Sequence, residues 1–289
     1  MARILKKLIN ARREPLTSSM SVLRAIPSIG LKFIGPFIFL DHFGPVSFGP
    51  KDYKQKGTGP HPHRGFITLS YLLSGEMEHY DSKGHKGVIS NGGLQWMKAA
   101  SGLQHDERPS GRFIQQGGTT HGLQLWINLP ATRKGDTPEY VNVTTDLVPE
   151  VALDDEAGVV RVLVGEYEGK LSPIPQITPT FAYHVKLNAG QQVTIDLPAV
   201  FEAGAYGLQG QIMVEGQELT TGQLAAFEAG EGGLHISNPT DTAQEVLLIG
   251  GEPLNESMAS YGPFVMNTRD EIDTAIMDFE AGKFGDVIY

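Results

Sequence analysis

The sequence predicts an all-β protein: two similar antiparallel lobes, closed by one short C-terminal helix. Three observations carry that expectation. The 289 residues include 35 glycines and 18 prolines, which cut the chain into short alternating runs typical of strands joined by tight turns. The second half repeats the first in outline, since Tyr206-Gly207-Leu208-Gln209-Gly210 echoes Tyr71-Leu72-Leu73-Ser74-Gly75, and Leu224 to Ala229 echoes Leu94 to Ala99. The clearest helical signal is Thr268-Arg269-Asp270-Glu271, a capping box followed by an apolar stripe of Ile272, Ala275, Ile276 and Phe279, with Gly282 as terminator.

The elements follow in order. Residues 1–40 read as hairpin material ending in an apolar strand, Phe33-Ile34 then Pro36 to Leu40, and Asp41-His42-Phe43-Gly44-Pro45 reads as the turn that ends it. His42 is taken as a surface or turn residue. Residues 46–60 are a Gly/Pro-rich loop that can shape a pocket mouth. Residues 61–130 are a series of hairpins, with Phe66, Leu69, Leu73, Trp96, Met97 and Trp126 as core or pocket-wall candidates. Strands at Val141-Asn142-Val143 and Val159 to Val164 lie in a connector that Pro173, Pro175 and Pro179 break. The expected division is a first lobe over 1–135, connector strands over 136–180, and a second lobe with the helix over 181–289.

Composition narrows the function. Hydrophobic residues are 40% and charged residues 19% of the chain, enough apolar material for a packed core. Cysteine is absent, which rules out disulfides and thiolate metal sites and favours a cytoplasmic protein. A net charge of −10 argues against direct phosphate-driven binding to nucleic acid. No apolar run is long enough to span a bilayer as a helix. The basic stretch Met1 to Arg13 lacks the apolar centre of an export signal and reads as a first strand.

The chemistry concentrates between His61 and Glu107. His61-Pro62-His63 opens this stretch and His105-Asp106-Glu107 closes it. In a strand, residues i and i+2 share a face, so each end can aim two donors together. Hairpins can then bring the ends side by side. One H-x-H alone is more often two surface histidines beside a turn proline; the second pair in the same block shifts the balance to metal. Three imidazoles and a carboxylate suit iron(II), manganese, nickel, copper or zinc better than calcium or magnesium. His79, His85 and His121 have no ligand partner at strand spacing, and Asp81 after His79 opens a turn-like Asp81-Ser82-Lys83-Gly84; all three histidines are taken as exposed. In the second half, Asp196 and Pro198 align with His61 and His63, His235 roughly matches His105, and Ser237 replaces Glu107, so no metal site is expected there.

The runs HPHRGFITLSYLLSGEMEHYDSKGHKG, GLQWMKAASGLQHDERP, Gln124 to Pro130 and GPFVMNTRDEIDTAIMDFEAGKFG resemble the pirin family of the cupin superfamily. That resemblance implies two cupin-type β-barrel lobes, with the C-terminal helix packing back on the first, and one mononuclear iron site, with ligands at His61, His63, His105 and Glu107. It also implies quercetin 2,3-dioxygenase activity on a flavonol-like small molecule with dioxygen, with ring opening and carbon monoxide release. In that reading Glu107 doubles as catalytic base. The alternative it implies is a redox-sensitive regulatory protein that binds a transcription factor or metabolic enzyme. The sequence departs from the family's common pattern at Ile67, Gly93 and Lys98. Ile67 removes a negative charge that could tune the metal's redox behaviour. Lys98 is expected either to favour an anionic ligand or to be plain solvent decoration.

Overall fold

The computed structural model describes residues 2–16, 20–52 and 57–289. Within the Gly/Pro-rich loop before His61, residues 53–56 lie outside the described residues. The chain is almost entirely antiparallel sheet, with two α-helices among the described residues. It forms two compact units. One comprises Pro15–Val22, His42–Thr145 and Asn255–Tyr289, here the ligand lobe. The other comprises Met1–Glu14, Leu23–Asp41 and Asp146–Leu254, here the apolar lobe. Among the described residues, no helix is long and apolar enough to cross a membrane.

In the ligand lobe, the main sheet runs in the order Glu139–Val143, Leu94–Lys98, Phe66–Ser74, Gly118–Asn128, Phe37–Phe48. Phe66–Ser74 is buried along its first seven residues because a neighbour pairs with it on each side. A second sheet runs His61–His63, Leu103–Pro109, Glu76–Asp81, Lys86–Ser90. Gly65 makes the turn between its first strand and the main sheet. It holds φ +90°, and a Cβ there would meet the Val265 carbonyl oxygen at 1.9 Å, so only glycine fits.

The apolar lobe has the same plan. Its main sheet begins Leu5–Asn10, Gln223–Phe227, Glu202–Gln209, Gln244–Gly251, Thr180–Leu187. Its second sheet runs Gln192–Ile195, Leu234–Ser237, Gln211–Val214, Gln217–Thr220.

Phe37–Phe48 is one continuous strand, so Asp41 to Pro45 is not the turn expected from its glycine and proline. His42 is accordingly buried, at 1% exposure, and not a surface residue. The C-terminal helix covers Arg269–Glu280 and carries the expected capping box: Glu271 N–H donates to Thr268 Oγ1 at 3.2 Å, and Thr268 N–H donates to Glu271 Oε2 at 3.0 Å. Ile272 and Ala275 bury against Phe264, Met266 and Phe284. A salt bridge of 2.7 Å joins Asp278 on this helix to Arg64, the residue after His63.

Candidate metal centre

Strand pairing assembles the site. Leu103–Pro109 pairs with His61–His63 on one edge, with His105 opposite His61 and Leu103 opposite His63. On its other edge it pairs with Glu76–Asp81, with Glu107 opposite His79. The donor atoms of His61, His63 and His105 lie within 4.8 Å of one another. Those of Glu107, His105 and His79 form a second, overlapping group within the same distance. His105 belongs to both.

Hydrogen bonding and burial set up the rings as ligands. His61 Nδ1 donates to the Gly59 carbonyl at 2.8 Å, which leaves its Nε2 as a lone pair. His63 Nδ1 and His105 Nε2 are buried and have no hydrogen-bond partner. Burial, reinforced by the neighbouring histidines, holds both rings well below the usual imidazole pKa, so they stay uncharged at neutral pH. Glu107 is 8% exposed, and its Oε1 accepts from Gln95 Nε2 at 2.6 Å and Ser70 Oγ at 3.0 Å. Its Oε2 carries no such bond to those two side chains. Orphaned imidazole nitrogens beside a half-engaged carboxylate suit a divalent transition ion, so the residues fit the group that the sequence implies.

One wall beside the imidazoles is aromatic. Phe66 packs at 5.0 Å from the His63 ring, Trp126 at 5.4 Å from it, and the two aromatic rings at 4.3 Å from each other. Trp96, also a wall candidate by sequence, faces away. Its neighbour Gln95 reaches Glu107, and strand alternation turns Trp96 to the opposite side, where it is fully buried. Ile67 and Lys98 are cross-strand partners on that same far side, so neither contacts the candidate ligands. Lys98 is neither an anion-attracting residue at the site nor solvent decoration: it is 2% exposed and bridges to Glu139 at 2.8 Å.

Three further histidines differ from expectation. His79 is fully buried, not exposed, because it shares the inward face of Glu76–Asp81 with Asp81. Asp81 ends that strand before the turn, and four donors hold it: His79 Nε2, His85 Nδ1 and the backbone N–H groups of Lys83 and His85. Burial raises its pKa, but those bonds outweigh burial and leave it below the usual carboxylate value. His85 and His121 are only partly exposed. His121 Nε2 meets His42 Nε2 at 2.6 Å, and burial together with that neighbour lowers the His42 pKa to about 3. The i, i+2 spacing of His79 and Asp81 was the available signal.

In the apolar lobe the corresponding sheet presents no such group. His235 and Thr194 face each other across the strand pair, but both are exposed. The inward pair is Ile195 opposite Leu234, both fully buried within an aliphatic core.

Two lobes of matching strand order, one lined with imidazoles and the other filled with aliphatic side chains, define a bicupin. The chain belongs to the pirin family: the Pirin model matches residues 19–127, and the Pirin C-terminal cupin domain matches 182–285. A Pseudomonas aeruginosa protein named provisionally as a quercetin 2,3-dioxygenase is 40% identical over 87% of each chain. A pirin-like protein of Arabidopsis thaliana is 38% identical over 98% of this chain and 90% of its own. The crystal structure of quercetin 2,3-dioxygenase from Acinetobacter baumannii superposes with a TM-score of 0.91 and 33% identity over 99% of both chains.

Proposed function

We propose that this pirin is a metal-dependent dioxygenase that cleaves quercetin or a related flavonol. The observation that carries the reading is the donor set: ring nitrogens of His61, His63 and His105 converge, and Glu107 stands beside His105 with one oxygen already bonded. The similarity to a solved quercetin 2,3-dioxygenase supports the substrate class. These four residues would hold one ion per chain, with iron(II) favoured over manganese, nickel, copper or zinc. Such an ion supplies Lewis acidity toward an oxyanion and electron exchange with dioxygen.

The protein's own groups do the rest. Phe66 and Trp126 offer an apolar flank for a flat aromatic substrate. Gln95 and Ser70 hold Glu107 by one oxygen. The other oxygen is the base that takes the proton of a flavonol hydroxyl. The buried setting keeps that carboxylate from bulk water, so the proton stays local.

Oxygen uptake is the test. Metal-loaded protein should consume dioxygen when quercetin is added. If it does not, across iron, manganese, nickel and copper, the dioxygenase reading fails and the regulatory one takes its place.

A further inference from the structure

Behind His105 stand two side chains that the proposed reaction does not use. Asp81 and His79 are both fully buried. His79 Nε2 lies 3.3 Å from Asp81 Oδ2, and His79 Nδ1 lies 3.5 Å from His105 Nδ1. Tyr140 stacks on the His79 ring, with centroids 4.3 Å apart and planes at 11°, which fixes the ring's plane.

The hydrogens along this row can be placed by chemistry. An ionised carboxylate only accepts, so His79 Nε2 carries the hydrogen that points to Asp81. A singly protonated His79 ring then presents a lone pair at Nδ1. In the contact between the rings, His105 Nδ1 must therefore be the donor. His105 is left with its lone pair at Nε2, which is the atom found buried without a partner. Both His79 nitrogens are engaged in this row, so His79 is not itself a donor to an ion. Asp81 cannot swing away, because its Oδ1 also accepts the backbone N–H groups of Lys83 at 2.8 Å and His85 at 3.0 Å.

We infer that Asp81 and His79 are positioning residues for His105, selecting its Nδ1–H tautomer and turning its Nε2 toward the metal. The inference rests on the metal reading above and adds two residues which that reading does not need. Outer partners of this kind orient a ligand ring and raise its basicity, and their loss costs roughly 10–100-fold in metal affinity.

Cobalt(II) is the probe, read by chelator competition and by its visible absorption bands, with no turnover involved. His79→Phe keeps a ring against Tyr140 and removes both nitrogens. His79→Asn returns an acceptor oxygen near the position of Nδ1. Asp81→Asn can keep an oxygen for the two backbone N–H groups but places an NH2 where His79 needs an acceptor. The expected result is one cobalt per wild-type chain. His79→Phe and Asp81→Asn should bind roughly 10–100-fold more weakly with shifted bands, and His79→Asn should recover most of the affinity and the wild-type bands. Should His79→Phe fail to fold by circular dichroism, the other two variants decide. Wild-type affinity and bands in Asp81→Asn and His79→Phe would overturn the positioning role while leaving the metal site standing. Loss of cobalt from His79→Asn as complete as from His63→Ala would also overturn it, because His79 would then be a ligand. Wild-type protein that takes up no cobalt would overturn the metal reading itself.

Discussion

The two lobes share a strand plan and differ in what they put inside it. In the ligand lobe, the strand pair that faces inward carries His61 opposite His105. In the apolar lobe, the pair at the same place in the register carries Val193 opposite Ile236, beside Ile195 opposite Leu234. Around the first pair stand Glu107, Ser70 and Gln95, linked by hydrogen bonds. Around the second stand Ile212, Val214, Leu219 and Leu248 in one apolar cluster. The same backbone plan therefore supports either a polar interior with orphaned nitrogens or an apolar core. The ligand lobe leaves buried groups without protein partners, which an apolar filling of similar shape avoids. A bound ion would satisfy them.

The sharpest way to break the comparison is to write one lobe's interior into the other. His61→Val combined with His105→Ile copies the pair Val193 and Ile236. Elemental analysis should show metal reduced by more than roughly tenfold, as a site stripped to one imidazole and one carboxylate cannot hold a transition ion. His63→Ala alone should lose most of the metal. Full occupancy in either variant would remove these residues from the ligand set.

Glu107→Gln tests a single oxygen. An amide can still accept from Gln95 and Ser70 and can coordinate weakly, but it does not take up a proton. Turnover with quercetin should drop by roughly 10²–10⁴-fold, with a smaller drop in bound metal. Equal losses of both would make Glu107 a ligand only.

In the apolar lobe the same scale of damage should appear as lost stability. Leu234→Ala empties a fully buried position and should cost roughly 2–5 kcal/mol in chemical denaturation. Metal content should not change in the protein that remains folded.

Acid should affect the ligand lobe through its histidines. Folding lowers the pKa of His42 to about 3 and pushes His63 and His105 well below the ordinary imidazole value. Below about pH 6.5 the unfolded chain binds protons at these sites that the folded chain does not. Stability is therefore full above that value and falls as pH drops through it, with each ring contributing at most roughly 1.4 kcal/mol per pH unit. Thermal melts of metal-free protein at pH 7.5 and pH 5 should show the loss, and His42→Phe should lessen it. A flat profile would show that these rings can be protonated in place.

The smallest effect belongs to His235→Ala. This ring is exposed on the apolar lobe, so neither metal content nor stability should move beyond roughly 0.5 kcal/mol. A measurable loss of metal would mean that the two lobes are less different than their interiors indicate.

The sequence makes part of this contrast legible. His61 with His63, and His105 with Glu107, stand two apart in strand-forming segments, and period-two geometry is enough to pair them. The C-terminal capping box is equally local, since Thr268 and Glu271 interact within one turn. Features that depend on which face of a strand is inward are harder to read. The turn that Asp81 opens argues against an inward His79, yet both point inward and bond to each other. Trp96 has the composition of a pocket wall, and only the bond from its neighbour Gln95 to Glu107 shows that it faces away. In the second lobe, counting from the tyrosines puts Asp196 and Pro198 at the ligand positions, whereas strand pairing places Ile195 inward. A one-residue change of face is invisible to an outline alignment.

The aromatic flank of the ligand lobe also makes the protein its own optical gauge. The chain has two tryptophans, Trp96 and Trp126. Trp126 sits 5.4 Å from the His63 ring, whereas Trp96 faces the other side of its sheet. An open-shell ion held by His63 should quench the emission of the first far more than that of the second. Metal loading then becomes visible as a partial fall in intrinsic fluorescence, and Trp126→Phe should abolish most of that signal without removing the ion.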